Sequence, residues 1–584
     1  MRSPARAARS GLATAAVIGA VAAVAAILAP GASARPAQQA APAAGAHPCV
    51  VLTGSGDAAF TRSFNPYTGS VNNGNIMKGA IYEPLTISVV AGGGKTYPWL
   101  AKSWAWSRDK KTLTLQIQPN VKWSDGQPLT AADVVYSLKA GKQNSAHTMD
   151  VIGLYRANTN IASIKQVGPL GVAITLKTPD SQFVAANLNL QFVVPQHIWS
   201  RVKDPATFKN PNPVGSGPFT KITRLTTQDV VYGKNPSYWQ TGKPQVSCLD
   251  YQEATSNDAA LIQMQSGAVD WTHNFVANVE TTYAAKDPQH FHFYNGTAAY
   301  PVSLMFDDTQ YPYSLVAFRQ AVSEAINRDD VSKLGEYGYG PPTDALGLSY
   351  IFPTWVTDPA VKAQAKALST YNPDAAKKLL TDAGFKYSGS KLIDPKGNPV
   401  SFQIHVIAGW SDWVASLQII SKNLQAIGID ATVQTEPSWN DWYPSASSTK
   451  APTLLWQAAS QGSPYGFFFA NLHQNALIAS GQDATSTGNW EHFSDPSATG
   501  LLNQWKTSMR PDVQKKLATK VQSVFLNNLP IIPLFVGPRW STYSTRYFHG
   551  FNSAKNFYGD PIFTTFPDNV LSFTRIAPGA TTSP

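Results

Sequence analysis

Three short motifs place reactive or ligand-binding residue types close together. Residues 92–96 read Gly-Gly-Gly-Lys-Thr, but position 89 is Val where a phosphate-binding loop requires glycine, so a simple turn is expected. His290 and His292 share one face of a predicted strand and could bind a metal, yet no Cys, Asp or Glu motif accompanies them. Gly215-Ser216-Gly217 lacks the pattern of a nucleophile elbow. The sequence therefore predicts no catalytic centre, no cofactor and no metal site.

Aromatic rings form a second group of side chains that could contact a ligand. They are concentrated between positions 410 and 467 and comprise Trp410, Trp413, Trp439, Trp442, Trp456, Tyr465 and Phe467. Flat rings beside neutral polar groups suit stacking on sugars, and they equally suit apolar peptide side chains. Core packing is the alternative, and we expect it for Trp413, which lies on the apolar face of a predicted helix.

The elements that position these rings follow a readable order. Residues 400–436 read as a strand, an amphipathic helix ended by Gly428, and a second strand, which is a βαβ unit with parallel strands. Ligands of such sheets gather beyond the carboxyl ends of the strands, so residues 409–412, Gly-Trp-Ser-Asp, should border a cleft. If the predicted strand at 453–457 runs in the same direction, the loop after it faces the same cleft.

Composition excludes several classes of protein. The chain has 584 residues, of which only 14% are charged, so it is neither a disordered chain nor a coiled coil. Its length predicts several structural units with large cores. The formal net charge is +10, but the basic residues form no cluster or stripe of the kind that nucleic-acid binding requires.

The N-terminus has the pattern of an export signal. Three arginines precede an apolar run at residues 11–29, and a small-x-small site ends at Ala34, which predicts a signal peptide over 1–34 with cleavage after Ala34. The alternative is an uncleaved membrane anchor. No lipobox precedes Cys49, and residues 35–48 are rich in Ala, Pro and Gln, so we expect a disordered tether.

Two cysteines, Cys49 and Cys248, remain after export. An isolated pair in an oxidising compartment is a candidate disulfide, and both residues lie in predicted strands that could be neighbours in one sheet. Two separately buried thiols are the alternative.

Seven segments occur in the order typical of one protein family. They are FNPYTG with IYEPLT, the long block LAKSWAWSRDKKTLTLQIQPNVKWSDGQPLTAADVVYSL, then NPVGSGPFTKI, KNPSYW, FRQAVSEAINRDDV, YNPDAAKKLLTDAGF and NLPIIPLF. Over nearly the whole mature chain, this series resembles the extracellular solute-binding proteins of peptide and nickel ABC importers, known as family 5.

The resemblance implies a two-lobed α/β fold, similar to periplasmic binding proteins of type II or cluster C. Lobe I would comprise residues 49–299 and 536–584, with an extra subdomain inserted at about 86–205, and lobe II would comprise 300–535. The hinge would lie near Tyr300 and Val536, where the chain crosses between the lobes.

The resemblance also implies where a ligand would be held. Peptide binders of this family carry acidic residues in a segment resembling W-x-x-D-x-x-D-P, and the corresponding stretch here runs from Trp456 to Pro464 with Ser460 and Ser463 in place of aspartates. A buried ammonium without a counter-charge is costly, so Glu436, Asp412 or Asp441 would have to substitute. The predicted ligand-binding residues are Val71, Asn72, Asn73 and Trp271 from lobe I, and Trp410, Glu436, Trp439, Trp456, Gln457, Ser460, Gln461, Ser463 and Tyr465 from lobe II.

Three functions follow from these observations. The first is the peptide-binding component of an ABC importer, which acts outside the cytoplasm as a monomer and delivers ligand to permease and ATPase subunits. The second is an oligosaccharide- or other solute-binding component of the same family, which the missing aspartates favour. The third is a secreted hydrolase, which would need a nucleophile or a carboxylate pair in the cleft.

Overall fold

The computed structural model describes residues 47–582 except 56–58, 68–70, 90–94, 144–159, 185–187, 206, 447–452, 460–461, 482–483 and 485–486. The expected signal peptide and nearly all of the expected tether lie outside the described residues. The described helices are Val71–Ala80, Ala131–Gln143, Gln196–Trp199, Asn257–Ser266, Val279–Thr282, Val316–Ala325, Arg328–Asp330, Pro359–Ser369, Pro373–Asp382, Ser411–Ala426, Trp439–Ala446, Pro464–Leu472, Pro496–Thr507, Pro511–Asn528 and Asn569–Arg575.

Lobe I is built on a mixed seven-stranded sheet. Its strands, in spatial order, are Phe291–Phe293, Thr542–Ser544, Trp271–Thr272, Cys49–Ser55, Cys248–Ala254, Asp229–Lys234 and Phe219–Leu225. Strands Cys49–Ser55 and Cys248–Ala254 are parallel neighbours that begin in register at the two cysteines. Cys49 and Cys248 are joined by a disulfide bond with an S–S distance of 1.99 Å.

A second, smaller sheet holds the long block that carries the family resemblance. Its strands, in spatial order, are Ala101–Trp106, Thr112–Ile117, Gly171–Leu176 and Ile161–Val167. Leu113, Leu115 and Ile117 alternate into its core, as the period of two predicts. Two short strands, Thr86–Val89 and Lys95–Pro98, pair beside it. These elements fall within the inserted subdomain expected at 86–205.

Lobe II surrounds a five-stranded sheet with the order Asp430–Glu436, Ser401–Ile407, Thr453–Gln457, Gly296–Phe306 and Ile531–Arg539. The first three strands are parallel neighbours, which confirms the βαβ unit and shows that the strand ending at Gln457 runs in the same direction. Helix Ser411–Ala426 connects the first parallel pair and buries Leu417, Ile420 and Leu424 against the sheet. Gly428 follows it with φ +84°, a conformation that favours glycine.

Two long strands carry the chain between the lobes. Gly296–Phe306 pairs antiparallel with Ile531–Arg539, and Pro301 lies opposite Val536 in the register. The pairing is irregular between Thr297 and Pro301. The residues expected at the hinge are therefore side by side at the lobe junction, and the hinge and the exact domain boundaries stay predictions.

Each of the three larger sheets packs on its own hydrophobic core. The largest core belongs to lobe II, the second fills the seven-stranded sheet, and the third lies beneath the four-stranded sheet. The expected two-lobed α/β architecture with an extra subdomain is confirmed. Among the described residues, no helix has the length and apolar character needed to cross a membrane.

Candidate functional site

A cavity lies between the lobes, beside the two crossing strands. It encloses about 690 Å³ of space free of protein atoms, part of which is open to solvent. Its lining residues are Asn257, His273, Asn274, Phe275, Tyr300, Val302, Trp410, Asp412, Trp413, Gln457, Gly537, Pro538, Arg539, Trp540 and Ile562.

The ends of strands supply most of this lining. His273, Asn274 and Phe275 follow strand Trp271–Thr272 of lobe I. Trp410 and Asp412 follow the parallel strand Ser401–Ile407 of lobe II, and Gln457 ends the parallel strand beside it. This is the edge of the sheet at which the sequence predicts a cleft.

Tryptophans form a continuous cluster on the lobe II side of the cavity. The ring of Trp456 lies 5.9 Å from Trp410 and 5.4 Å from Trp439 between centroids, and 4.7 Å from Trp442. Trp413 stands perpendicular to Trp410, with their centroids 5.1 Å apart. Trp410, Trp439 and Trp456 are half-buried, so part of each ring can reach solvent or ligand. Trp413 and Trp442 are buried, and Trp413 still borders the cavity.

Asp412 is the acidic side chain of the cavity lining and lies in the first turn of helix Ser411–Ala426. Its Oδ1 accepts a hydrogen bond from Nδ2 of Asn257 at 3.2 Å, and Trp540 also donates to the carboxylate. Burial raises the pKa of the Asp412 carboxyl to about 6. Burial also raises the pKa of Glu336 well above its usual range, and repulsion from Asp412 adds to that rise.

Arg539 is the basic counterpart in the lining, and its charge is already neutralised. Its Nε donates to Oδ1 of Asp560 at 3.1 Å, and its Nη2 lies 2.7 Å from the other carboxylate oxygen. Its Nη1 donates to the hydroxyl of Tyr300 at 2.8 Å, and its Nη2 also donates to the hydroxyl of Thr565. Burial lowers the pKa of His273 to about 4, with Arg539 adding to the effect, so this imidazole is neutral near pH 7.

Direct hydrogen bonds join the two lobes around the cavity. Asn257 opens a lobe I helix, and its backbone N–H donates to the carbonyl of Gly409 at 3.2 Å. Its Oδ1 accepts from Asn274, which continues the network into the lobe I sheet. A second contact joins the inserted subdomain to lobe II, where the Oγ of Ser181 donates to the carbonyl of Lys506 at 3.0 Å. Nζ of Lys506 lies 3.3 Å from Oδ2 of Asp180.

Several predicted ligand contacts are placed elsewhere by the structure. Trp271 is fully buried in the lobe I core, where its Nε1 donates to Ser541 at 2.9 Å. Tyr465 and Phe467 are buried in the lobe II core. Ser463 caps helix Pro464–Leu472 by accepting from the N–H of Gly466 at 3.0 Å. These placements do not support ligand contacts for Trp271, Tyr465 or Ser463, because their side chains already have structural partners.

The three acidic residues proposed to replace the missing aspartates lie in different surroundings. Glu436 is bonded through its Oε1 to Nδ1 of His405 at 3.0 Å, and Asp441 is exposed and accepts from Ser438. Only Asp412, of these three, lines the cavity. Ser460 and Gln461 lie outside the described residues. Val71, Asn72 and Asn73 begin helix Val71–Ala80, and their side chains are not described.

Sequence reasoning missed the lobe I side of the cavity. His273, Asn274 and Phe275 follow the predicted contact Trp271 within four positions, and they line the cavity whereas Trp271 does not. The signal that could have found them is the end of the strand, because side chains beyond a strand end face the cleft. Arg539 and Trp540, at the end of the second crossing strand, were missed for the same reason.

The histidines His290 and His292 do not form part of a recognisable metal centre. No group of three or more His, Cys, Asp or Glu side chains able to hold a metal ion occurs among the residues that the structure describes.

The architecture, with its cavity between two lobes joined by paired crossing strands, is the two-lobed fold of periplasmic binding proteins. The family model of the bacterial extracellular solute-binding proteins, family 5 (Middle), matches residues 95–476. The chain belongs to this family.

Two curated relatives extend the comparison. The nickel-binding periplasmic protein of Escherichia coli (strain K12) is 26% identical over 361 residues, which are 60% of this chain and 65% of the relative. The glutathione-binding protein GsiB of the same strain is 24% identical over 483 residues, which are 81% of this chain and 84% of that protein. The chain thus spans slightly less than two thirds of the nickel-binding relative.

Solved structures agree on the fold. The oligopeptide-binding protein of Thermotoga maritima, with mannohexaose bound, has a TM-score of 0.80 at 23% identity and covers 91% of this chain and 98% of its own. The oligopeptide-binding protein AppA of Bacillus subtilis, in complex with a nonapeptide, has a TM-score of 0.73 at 18% identity, with coverages of 91% and 98%.

Proposed function

We propose that this protein is the extracytoplasmic solute-binding component of an ABC importer. The observation that carries the proposal is the cavity enclosed by strand ends from both lobes, with hydrogen bonds that cross between them. A ligand that contacts both lobes stabilises the closed form by its differential contacts. The closed form then docks on permease subunits, and their ATPase partners drive transport. The protein itself binds and delivers, without chemical turnover.

Peptides are the first ligand class that we propose. The relatives include a glutathione-binding protein, and the AppA structure holds a nonapeptide. An extended backbone would lie along the strand ends, with its side chains against the indole rings. Export through the signal peptide at 1–34, a monomeric state and a hinge at the crossing strands belong to the same proposal.

Oligosaccharides are the second candidate, favoured by the tryptophan cluster. Three half-buried indoles, those of Trp410, Trp439 and Trp456, offer ring faces of the kind on which sugars stack. The structure from Thermotoga maritima contains mannohexaose, which supports the same reading.

Uptake and binding experiments test the proposal. Purified protein is heated with peptide and oligosaccharide mixtures, and a ligand raises the melting temperature further, roughly logarithmically, as its concentration increases. Small-angle scattering checks that the same ligand makes the protein more compact. Deleting the gene should abolish uptake of that ligand, and the wild-type gene should restore it. Turnover of the ligand by the purified protein would contradict the proposal, as would unchanged uptake in the deletion strain.

Trp439→Ala tests the stacking of oligosaccharides on the tryptophan cluster. Loss of a stacking ring should weaken oligosaccharide binding by about 1–3 kcal/mol, estimated from aromatic burial. Trp106→Ala is the matched control, because Trp106 is also half-buried but lies in the four-stranded sheet, outside the tryptophan cluster to which Trp439 belongs. Equal affinities of Trp439→Ala and wild type for every sugar would remove the case for oligosaccharides.

A further inference from the structure

A short segment of lobe II reaches across the junction and contacts lobe I. Residues 336–340, here called the strap, follow the π-helical turn Val331–Gly335 and read Glu-Tyr-Gly-Tyr-Gly. The base of the strap is held by lobe II, because the Oγ of Ser416 donates to Oε1 of the buried Glu336 at 3.0 Å. A Cβ added at Gly335 would lie 2.2 Å from the same hydroxyl oxygen, so the backbone approaches the lobe II helix closely. The base of the strap therefore belongs to lobe II.

The other end of the strap is attached to lobe I through Tyr339. Its hydroxyl donates a hydrogen bond to the carboxylate of Glu280 and accepts one from the backbone N–H of Val279 at 3.2 Å. Its ring packs against a small lobe I core that contains Val279, Tyr283 and Phe291. Burial and then the bond to Glu280 raise the pKa of Tyr339, so the phenol keeps the proton that it donates. Hydrogen bonds to a carboxylate are stronger than those between neutral groups, so this attachment holds the lobes together.

The strap also packs against two rings of the cavity wall. Tyr339 and Trp540 meet at 85° with their centroids 5.6 Å apart, and the centroids of Tyr337 and Phe275 are also 5.6 Å apart. Trp540 and Phe275 both line the cavity, and their own centroids are 5.1 Å apart. The two tyrosines of the strap therefore support a pair of rings that a ligand in the cavity would touch.

The backbone of the strap is strained between its two attachments. Tyr337 has φ +53° and Gly338 has φ +81°, both in the left-handed region. Glycine adopts this conformation freely, whereas a tyrosine adopts it only when surrounding contacts hold it there. The side chain of Tyr337 is 44% exposed, so its own packing is partial and the attachments at Glu336 and Tyr339 hold the backbone. Release of Tyr339 from lobe I would relieve this strain.

We propose that, in the solute-binding role proposed above, the strap controls ligand release, with Tyr339 as a positioning residue that acts on the ligand through Trp540. While Tyr339 is attached to lobe I, the lobes are held together and the wall formed by Phe275 and Trp540 is fixed. When Tyr339 detaches, the backbone at Tyr337 relaxes, the wall loosens and the ligand leaves. The strap therefore sets the dissociation rate, and it does so for whichever class of ligand the cavity takes.

Tyr339→Phe removes the hydroxyl and keeps the ring beside Trp540. Loss of a hydrogen bond to a charged group should shift the equilibrium from attached to detached strap by about 10-fold or more. Tyr387→Phe is the matched control, because Tyr387 is also half-buried and its hydroxyl donates to the carbonyl of Ile427 at 3.0 Å, within lobe II alone. If Tyr339→Phe does not fold, Glu280→Gln weakens the same bond from an exposed position of lobe I.

Hydrogen exchange and small-angle scattering test the attachment in the full mature chain without ligand. In Tyr339→Phe, peptides covering residues 276–286 and 331–341 should exchange about 10-fold faster, and the radius of gyration should increase. Strand Ser401–Ile407, in the lobe II core, should exchange at the wild-type rate, which separates local detachment from a general loss of stability. Tyr387→Phe should leave the radius and both peptides unchanged.

Stopped-flow tryptophan fluorescence with trialanine and mannohexaose as probes tests release. Tyr339→Phe should release a bound probe about 10-fold faster than wild type, with an association rate within about twofold. Wild-type exchange and radius in the variant, or an unchanged dissociation rate, overturns the inference while the proposed solute-binding function stands. If wild type binds neither probe, exchange and scattering decide on the strap, and the uptake experiment decides on the proposed function.

Discussion

Gly54→Ala should lower stability and disturb the cavity together. Gly54 lies in strand Cys49–Ser55, and a Cβ added there would lie 2.3 Å from Nε2 of His273, a cavity-lining residue. Ordinary contacts require roughly 3.4 Å or more, so the imidazole has to move by about 1 Å. The ring of Phe563, with its centroid 5.1 Å from that of His273, is buried and restricts the retreat. Overpacking of this kind costs about 1–3 kcal/mol.

Gly500→Ala is the control, because it makes the same chemical change at an open site. Gly500 is exposed within helix Pro496–Thr507, and a Cβ there would meet nothing within 4 Å. Removing glycine from a helix interior should raise stability by about 0.5–1 kcal/mol. The two substitutions should therefore have opposite signs.

Urea unfolding followed by tryptophan fluorescence measures both variants, and calorimetry with a cavity ligand measures the displacement of His273. We expect a lower urea midpoint and weaker binding for Gly54→Ala, and a slightly higher midpoint with unchanged binding for Gly500→Ala. If Gly54→Ala matched or exceeded the wild-type midpoint, the packing of His273 against this strand would be wrong.

Three further outcomes follow from buried groups. Replacing Cys49 and Cys248 by Ser should lower the free energy of unfolding by up to about 5 kcal/mol, because the bond closes a sequence separation of 199 residues; equal urea midpoints for oxidised wild type and variant would contradict this. Burial, and then repulsion from Asp560, raises the pKa of Asp568 from its ordinary value of 3.8 to about 8. The folded state thus binds this proton more tightly than the unfolded chain, so the contribution to stability is full below pH 3.8 and falls as pH rises through about 8. Asp568→Asn should flatten the pH dependence of the urea midpoint between about pH 5 and 9. An unchanged pH profile would refute the assignment. Lys506→Ala removes the ion pair between Lys506 and the buried Asp180 carboxylate, and it should destabilise the contact between the subdomain and lobe II by about 1–3 kcal/mol. Small-angle scattering should show this loss as a larger radius of gyration. Lys378→Ala, which removes the exposed pair with Asp382, should leave the radius unchanged.

The sequence predicted secondary structure well where the spacing of apolar residues was regular along a whole strand or helix. Alternation in Thr112–Ile117 and the helical stripe of Ser411–Ala426 both depend on neighbours along the chain, and both are confirmed. The sequence left open the direction of the strand that ends at Gln457; this strand runs parallel to Ser401–Ile407, and Gln457 at its end lines the cavity.

The lobe I side of the cavity could not be predicted in the same detail. Trp271 and His273 are two positions apart, yet Trp271 packs in the core against Phe551 and Phe563, which lie far away in the chain, whereas His273 reaches the cavity. Aromatic type alone does not distinguish Tyr465, which is buried against Phe469 and Trp505, from the half-buried Trp439. Such choices depend on contacts distant in the chain.

The position of strand Thr542–Ser544 also constrains the order in which the chain can be completed. This strand separates Phe291–Phe293 from Trp271–Thr272 in the seven-stranded sheet, although it is made more than 240 residues after them. During synthesis the first lobe therefore lacks the strand next to the edge of its sheet until almost the whole chain has emerged. The second lobe, whose two ends meet as neighbouring strands, can fold during that interval.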